Sequence, residues 1–123
     1  MDISNGTPVL TEQNPMNFHA VSNSIVLANG DVVVTGGATY GNDYSGQPAD
    51  PVYSAEIWNP NTGTWTLGAN AARFRGYHSI TSLLTNGTIL STGGGTPGPV
   101  TNLNGEIYYP PYLFTNNNGN SVL

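Results

Sequence analysis

The sequence predicts an all-β chain of about two four-stranded antiparallel units, and three observations predict it. The same ordered set of elements occurs twice. Each copy centres on an Asn-Gly turn between Val/Ile/Leu runs, and no segment of any length shows a helical period. The first copy reads Phe18-His19, Ser24-Ile25-Val26-Leu27, the pair Asn29-Gly30, then Asp31 through Gly36-Gly37. The second reads Tyr77-His78, Ser79 through Leu84, the pair Asn86-Gly87, then Thr88 through Gly93-Gly94. The Asn-Gly pairs lie 57 residues apart, and so do the Gly-Gly pairs. Downstream, Ala55-Glu56-Ile57-Trp58 recurs as Gly105-Glu106-Ile107-Tyr108, 50 residues on. The difference falls in the loop after the first Gly-Gly pair.

Each element has a physical reason. Asn-Gly tolerates positive φ at both central positions, which predicts a tight type I′ hairpin turn. The flanking runs are continuous and apolar, as in strands buried on both faces. Gly-Gly after the second strand lets the backbone bend sharply or pass close to a neighbour. Tyr53 to Trp58 reads as a third strand, Asn59-Pro60-Asn61-Thr62-Gly63 as a turn, and Thr64 to Leu67 as a fourth strand. Four strands, a Gly-Gly pair and the late aromatics Trp58 and Trp65 form the pattern of a kelch repeat, one blade of a β-propeller. The expected organisation is a strap or linker over 1–15, one blade over 16–70 and an incomplete blade over 71–114. Residues 115–123, rich in Asn and Gly, read as a linker toward a further domain. Two blades do not close a ring, so the expected partners are the remaining blades of a longer protein, or other copies meeting through the blade faces.

Composition narrows the function classes. The chain has no lysine and two arginines, Arg73 and Arg75, with a net charge of −5, which argues against nucleic acid and anionic membrane as partners. No apolar run reaches the length of a membrane-spanning helix. Charged residues make up only 7%, leaving Asn, Thr, Ser and Gly to keep the surface wet, a style that suits an extracellular or secreted protein. The first residues lack the basic and apolar regions of a signal peptide, so a secretion signal is expected upstream. Cysteine is absent, which removes disulfides and thiolate metal sites.

The stretch Arg73-Phe74-Arg75-Gly76-Tyr77-His78-Ser79, with Leu83-Leu84-Thr85-Asn86-Gly87, Gly93-Gly94-Gly95, Glu106-Ile107 and Pro111-Tyr112-Leu113-Phe114, resembles the galactose oxidase and glyoxal oxidase family of copper radical oxidases. The resemblance spans roughly residues 16–120 and implies the last two blades of the propeller. Such enzymes oxidise a primary alcohol or aldehyde, carbohydrate alcohols among them, and reduce O2 to peroxide. On that match Tyr77 is a copper ligand and the catalytic proton acceptor, and His78 is a second copper ligand. Phenolate and imidazole both suit Cu(II). The family's tyrosine–cysteine cross-link cannot form here, and its other ligands come from parts this chain does not match. Copper is therefore expected in the parent protein, weak or absent in this chain alone, and the chain alone is expected to be inactive.

Other readings stand beside this one. The segment also suits a non-catalytic kelch module that binds carbohydrate or protein. Adjacent residues on a strand point to opposite faces, so Tyr77 and His78 reach one metal only where the backbone leaves the pleat, and Gly76 makes that plausible. His19, matched to His78 by repeat position, reads as structural. Trp58 and Trp65 read as packing between blades rather than a sugar platform. Tyr40, Tyr44 and Tyr53 border a long loop and are candidates for a substrate mouth. Glu56 and Glu106 share a repeat position and so a repeated hydrogen-bonding role. Asn5-Gly6-Thr7 and Asn86-Gly87-Thr88 match the glycosylation sequon, the latter equally explained by its turn.

Overall fold

The structure, a computed structural model, describes residues 1–17, 21–39, 50–95, 101–117 and 120–122. His19, Tyr40 and Tyr44 lie outside the described residues. The architecture is all-β, with two antiparallel sheets consistent with propeller-like blades. The described residues do not form a closed ring. The first sheet has four strands in chain order: β1 Asn23–Val26, β2 Val32–Thr35, β3 Ser54–Asn59 and β4 Thr64–Asn70. The second has three, β5 Ser79–Leu83, β6 Ile89–Gly93 and β7 Gly105–Tyr108. Among the described residues the second sheet stops at three strands, where the sequence reads as an incomplete unit. Tyr109 leads into Pro110-Pro111, whose nitrogens carry no hydrogen to donate to a ladder, and the chain turns into a 3-10 helix over Pro111–Leu113. Within the Asn-rich tail, β8 Thr115–Asn117 and β9 Asn120–Val122 pair as a small separate hairpin, where the composition predicted loop.

The register repeats as the sequence does. Val33 faces Ile57 in the first sheet, and Leu90 faces Ile107 in the second. Both Asn-Gly turns are tight, but they are not type I′. Gly30 N–H donates to Leu27 O (3.0 Å) and Leu27 N–H to Asp31 O (2.8 Å); Gly87 and Leu84 repeat the pattern with Leu84 O and Thr88 O. Gly30 and Gly87 have φ of 90° and 83°, while neither asparagine has positive φ. These are three-residue hairpins ending in a glycine bulge. The asparagines prefer to cap their own turns: Asn86 Oδ1 accepts from Thr88 N–H (3.1 Å) and from Thr88 Oγ1 (2.7 Å).

One core lies between the sheets. Leu27, Val33, Ala55 and Ile57 come from the first unit and Ile89 from the second, with Ile25, Leu83, Tyr108 and Tyr112 packed around them. Two polar contacts cross the same interface: Asn23 Nδ2 donates to Ser79 Oγ (2.8 Å), and the Thr35 and Thr81 hydroxyls share a 2.7 Å hydrogen bond. Tyr112, at the 3-10 turn, donates its hydroxyl to Gly87 O and so fastens the end of the second unit to its own hairpin. On the far side of the first sheet Trp58 and Trp65 lie 6.5 Å apart, and Trp65 Nε1 donates to Asn14 O (2.8 Å). Trp65 thus packs beside Trp58 and is tied to the N-terminal segment.

Candidate functional site

Tyr77 and His78 sit in a turn that feeds β5. Ser79 N–H donates to Gly76 O (2.9 Å), closing a four-residue turn, and His78 has φ of 62°. Positive φ at the third position takes the backbone out of the pleat. The side chains therefore do not diverge as strand neighbours would. Their rings stack, with centroids 3.8 Å apart and planes at 28°. The pair thus lies at a strand end, where the backbone leaves the pleat. Tyr77 is partly buried and His78 is exposed, so the imidazole edge is open to solvent.

Glycines hold this turn from both sides. Gly95 N–H donates to Tyr77 O (2.9 Å), and a Cβ at Gly94 would lie 3.3 Å from both Gly76 N and Ser79 Cβ. From the neighbouring sheet, Gly37 N–H donates to Arg75 O (2.6 Å), and a Cβ at Gly36 would fall 2.9 Å from Arg75 Cβ and closer still to its carbonyl oxygen. The two glycine runs thus serve one purpose, the close approach of the 75–79 backbone.

Arg75 is the residue that sequence reasoning passed over. It is 1% exposed. Its guanidinium donates to Gly93 O and Asn104 O (3.1 Å each), to Asn104 Oδ1 (2.6 Å) and to Glu106 Oε2 (3.0 Å). The planar fork spans β6, the loop after it and β7, fixing the chain just before Tyr77. An arginine in a nearly uncharged sequence, two residues before the candidate pair, was the available signal. Glu106 also accepts from Ala72 N–H (2.7 Å), and in the first sheet Glu56 accepts from Asn17 N–H (3.0 Å). The repeated glutamates therefore do the same work, each receiving the chain that leads into the first strand of its own sheet.

The register corrects the match between His19 and His78. The sheets superpose at an offset of 57, which pairs His78 with Val21, and Val21 has φ of 56°. The unusual backbone is thus repeated while the imidazole is not. Tyr53 lines a cavity of about 310 Å³ between the sheets, together with Arg73, Arg75, Glu106, Tyr108 and Tyr109. Tyr77 and His78 do not line it, so the cavity and the ring pair are separate features. Among the described residues no group of three or more His, Cys, Asp or Glu side chains is placed to hold a metal ion. The ring pair supplies two donors of the right chemistry on one side of the chain, which fits part of a copper site and not a whole one.

Two galactose oxidases from Gibberella zeae, one from strain PH-1, are each 35% identical to the chain over 105 residues. At the level of a fragment, the chain is homologous to the galactose oxidase family of copper radical oxidases. The match covers 84% of this chain and 15% of the relatives' length. A solved structure described as a novel fungal alcohol oxidase with catalytic diversity among the AA5 family, in complex with copper, superposes with a TM-score of 0.74. That match is at 27% identity over 85% of this chain and 22% of the other. No family model matches the chain.

Proposed function

We propose that these residues form two successive blades, 16–70 and 71–114, of a galactose-oxidase-like propeller, and that they contribute Tyr77 and His78 to its copper site. Residues 1–15 act as a strap, and 115–123 lead toward a further domain that, with the missing blades, completes the ligand set. The parent is a secreted oxidase of primary alcohols or aldehydes, with carbohydrate alcohols within its range. The observation that carries this reading is the stacked Tyr77–His78 pair at a positive-φ turn, within a fragment homologous to this family. Bound copper supplies the redox chemistry. With copper bound in the parent protein, His78 would hold the ion through a ring nitrogen, and Tyr77 would hold it through Oη and take up the proton of the substrate hydroxyl there. Gly94, Gly95 and the Arg75 fork keep both rings in register. With two donors, the chain alone binds copper weakly and turns over no substrate.

The test is a Cu(II) titration followed by electron paramagnetic resonance, on wild type, His78→Ala and Tyr77→Phe. A nitrogen-coordinated site is expected in wild type, lost in His78→Ala and altered in Tyr77→Phe. Wild type binding no better than His78→Ala overturns the assignment.

A further inference from the structure

The faces of the two sheets follow from their registers. The front of the first sheet carries Asn23, Ile25, Val33, Thr35, Ala55 and Ile57, and its back carries Ser24, Val26, Val32, Val34, Glu56 and Trp58. In the second sheet, Thr81, Leu83, Ile89, Ser91, Glu106 and Tyr108 share one side, and Ile80, Ser82, Leu90, Thr92, Gly105 and Ile107 the other. The core and the Thr35–Thr81 hydrogen bond show that the side bearing Ile89 meets the front of the first sheet. By the repeat offsets of 57 and 50, that side is the back of the second unit. The interface inside the chain is therefore front against back, the heterologous kind that leaves one unused front and one unused back.

The unused front is the Ile80, Leu90, Ile107 side of the second sheet, with Ile80 56% and Ile107 45% exposed. The other back is that of the first sheet, where Val26 is 61% exposed while Val34 and Glu56 are buried; the N-terminal segment meets it at Glu56 through Asn17 N–H, as Ala72 N–H meets Glu106 on the back that is used. The internal interface prescribes how they would fit. Leu90 and Ile107 stand where Val33 and Ile57 stand, and Val26, Val32 and Trp58 stand where Leu83, Ile89 and Tyr108 stand. Thr92 occupies the place of Thr35, and Ser24 that of Thr81, so the cross-sheet hydroxyl pair has its counterpart. The front has no ionisable side chain. The back has only Glu56, which is 1% exposed and receives Asn17 N–H, so no exposed charge opposes contact.

We infer that the front of the second sheet is a docking surface for the back of the first sheet of a second copy of this chain, joined head to tail as the two units are joined internally. This holds independently of copper. The complementarity that would seat neighbouring blades in a longer protein makes the free chain bind itself.

The test uses the 123-residue chain in light scattering and sedimentation, with Ile107→Asp to block the front and Val26→Asp to block the back. Wild type should associate with concentration into dimers and larger species. Each variant alone should associate at least roughly tenfold more weakly. An equimolar mixture should form a one-to-one dimer and nothing larger, because one variant keeps its back and the other its front. That result also shows that both variants fold. Should either fail to give the native circular dichroism spectrum, Ile107→Thr and Val26→Thr, which keep β-branching, carry the same experiment. A wild type that stays monomeric overturns the inference. So does a Val26→Asp variant that associates like wild type, which would mean front meeting front, and so does a mixture that remains monomeric.

Discussion

Arg75 concentrates several jobs in one side chain. Its fork ties Gly93, Asn104 and Glu106 together inside the protein, and its backbone lies against the glycines of the neighbouring sheet. Replacing it with methionine removes the charge that Glu106 faces and strands the Gly93 and Asn104 acceptors. Arg75→Met should therefore cost about 3 kcal/mol in urea unfolding, the low end for a broken buried pair because Glu106 keeps some solvent. Arg75→Lys should recover only part of that, since an ammonium cannot span the same acceptors. His78 poses the opposite case. A non-glycine residue at φ of 62° is strained by about 1–2 kcal/mol, and glycine removes the strain while adding freedom to the unfolded chain. His78→Gly should leave the unfolding midpoint unchanged or slightly raised while abolishing any copper signal, which separates a ligand role from a structural one. The Tyr77-His78 pair was singled out through the family motif around it, since two adjacent residues on a strand would by themselves point apart. Its stacked geometry was not legible, because it depends on one dihedral angle that propensity does not encode.

At the scale of elements, the repeat was the most legible feature, since equal spacing in sequence became equal register in the sheets. The Gly-Gly pairs were read correctly as close approaches, although not what approaches them. The turn type was misjudged because Asn-Gly satisfies two hairpin geometries, and the choice depends on which flanking carbonyl and amide close the loop. The structure separates glycines needed for conformation alone from those needed for space. Gly30 has φ of 90° and nothing within 4 Å of where a Cβ would stand, whereas Gly36 combines φ of 70° with Arg75 close against it. Gly30→Ala should cost about 1 kcal/mol. Gly36→Ala should cost at least about 3 kcal/mol, because backbone rather than a flexible side chain must yield, and it should also disturb the ring pair beyond Arg75. Thermal unfolding followed by circular dichroism measures both.

At the scale of the whole molecule, the two sheets share one core, and Tyr108 reports on it. Its ring lies over β4, where a Cβ at Gly68 would sit 3.2 Å from the ring carbon that bears the hydroxyl. Burial pushes its phenol above the ordinary 10.0, partly offset by a hydrogen bond with the Ala69 backbone. A raised value in the folded state means that the fold holds the neutral phenol. That stabilisation is complete below the unfolded value and is lost as pH rises through the folded one. Tyr108→Phe should lose about 1 kcal/mol at neutral pH, and the gap from wild type should narrow above pH 10. Ile89 tests the shared core more directly. It belongs to β6, yet it is fully buried among Leu27, Val33, Ala55 and Ile57 of the first unit. Ile89→Ala should cost about 2–5 kcal/mol, through lost burial and the cavity left behind. If the sheets were independent, the loss would fall on the second alone. Both tryptophans lie in the first sheet, so their fluorescence follows a unit that the substitution does not touch in sequence. Because the core is common, the tryptophan transition should shift by as much as the amide-exchange protection of β5 to β7. A fluorescence midpoint that stays put while the β5–β7 amides lose protection would show two units that unfold separately.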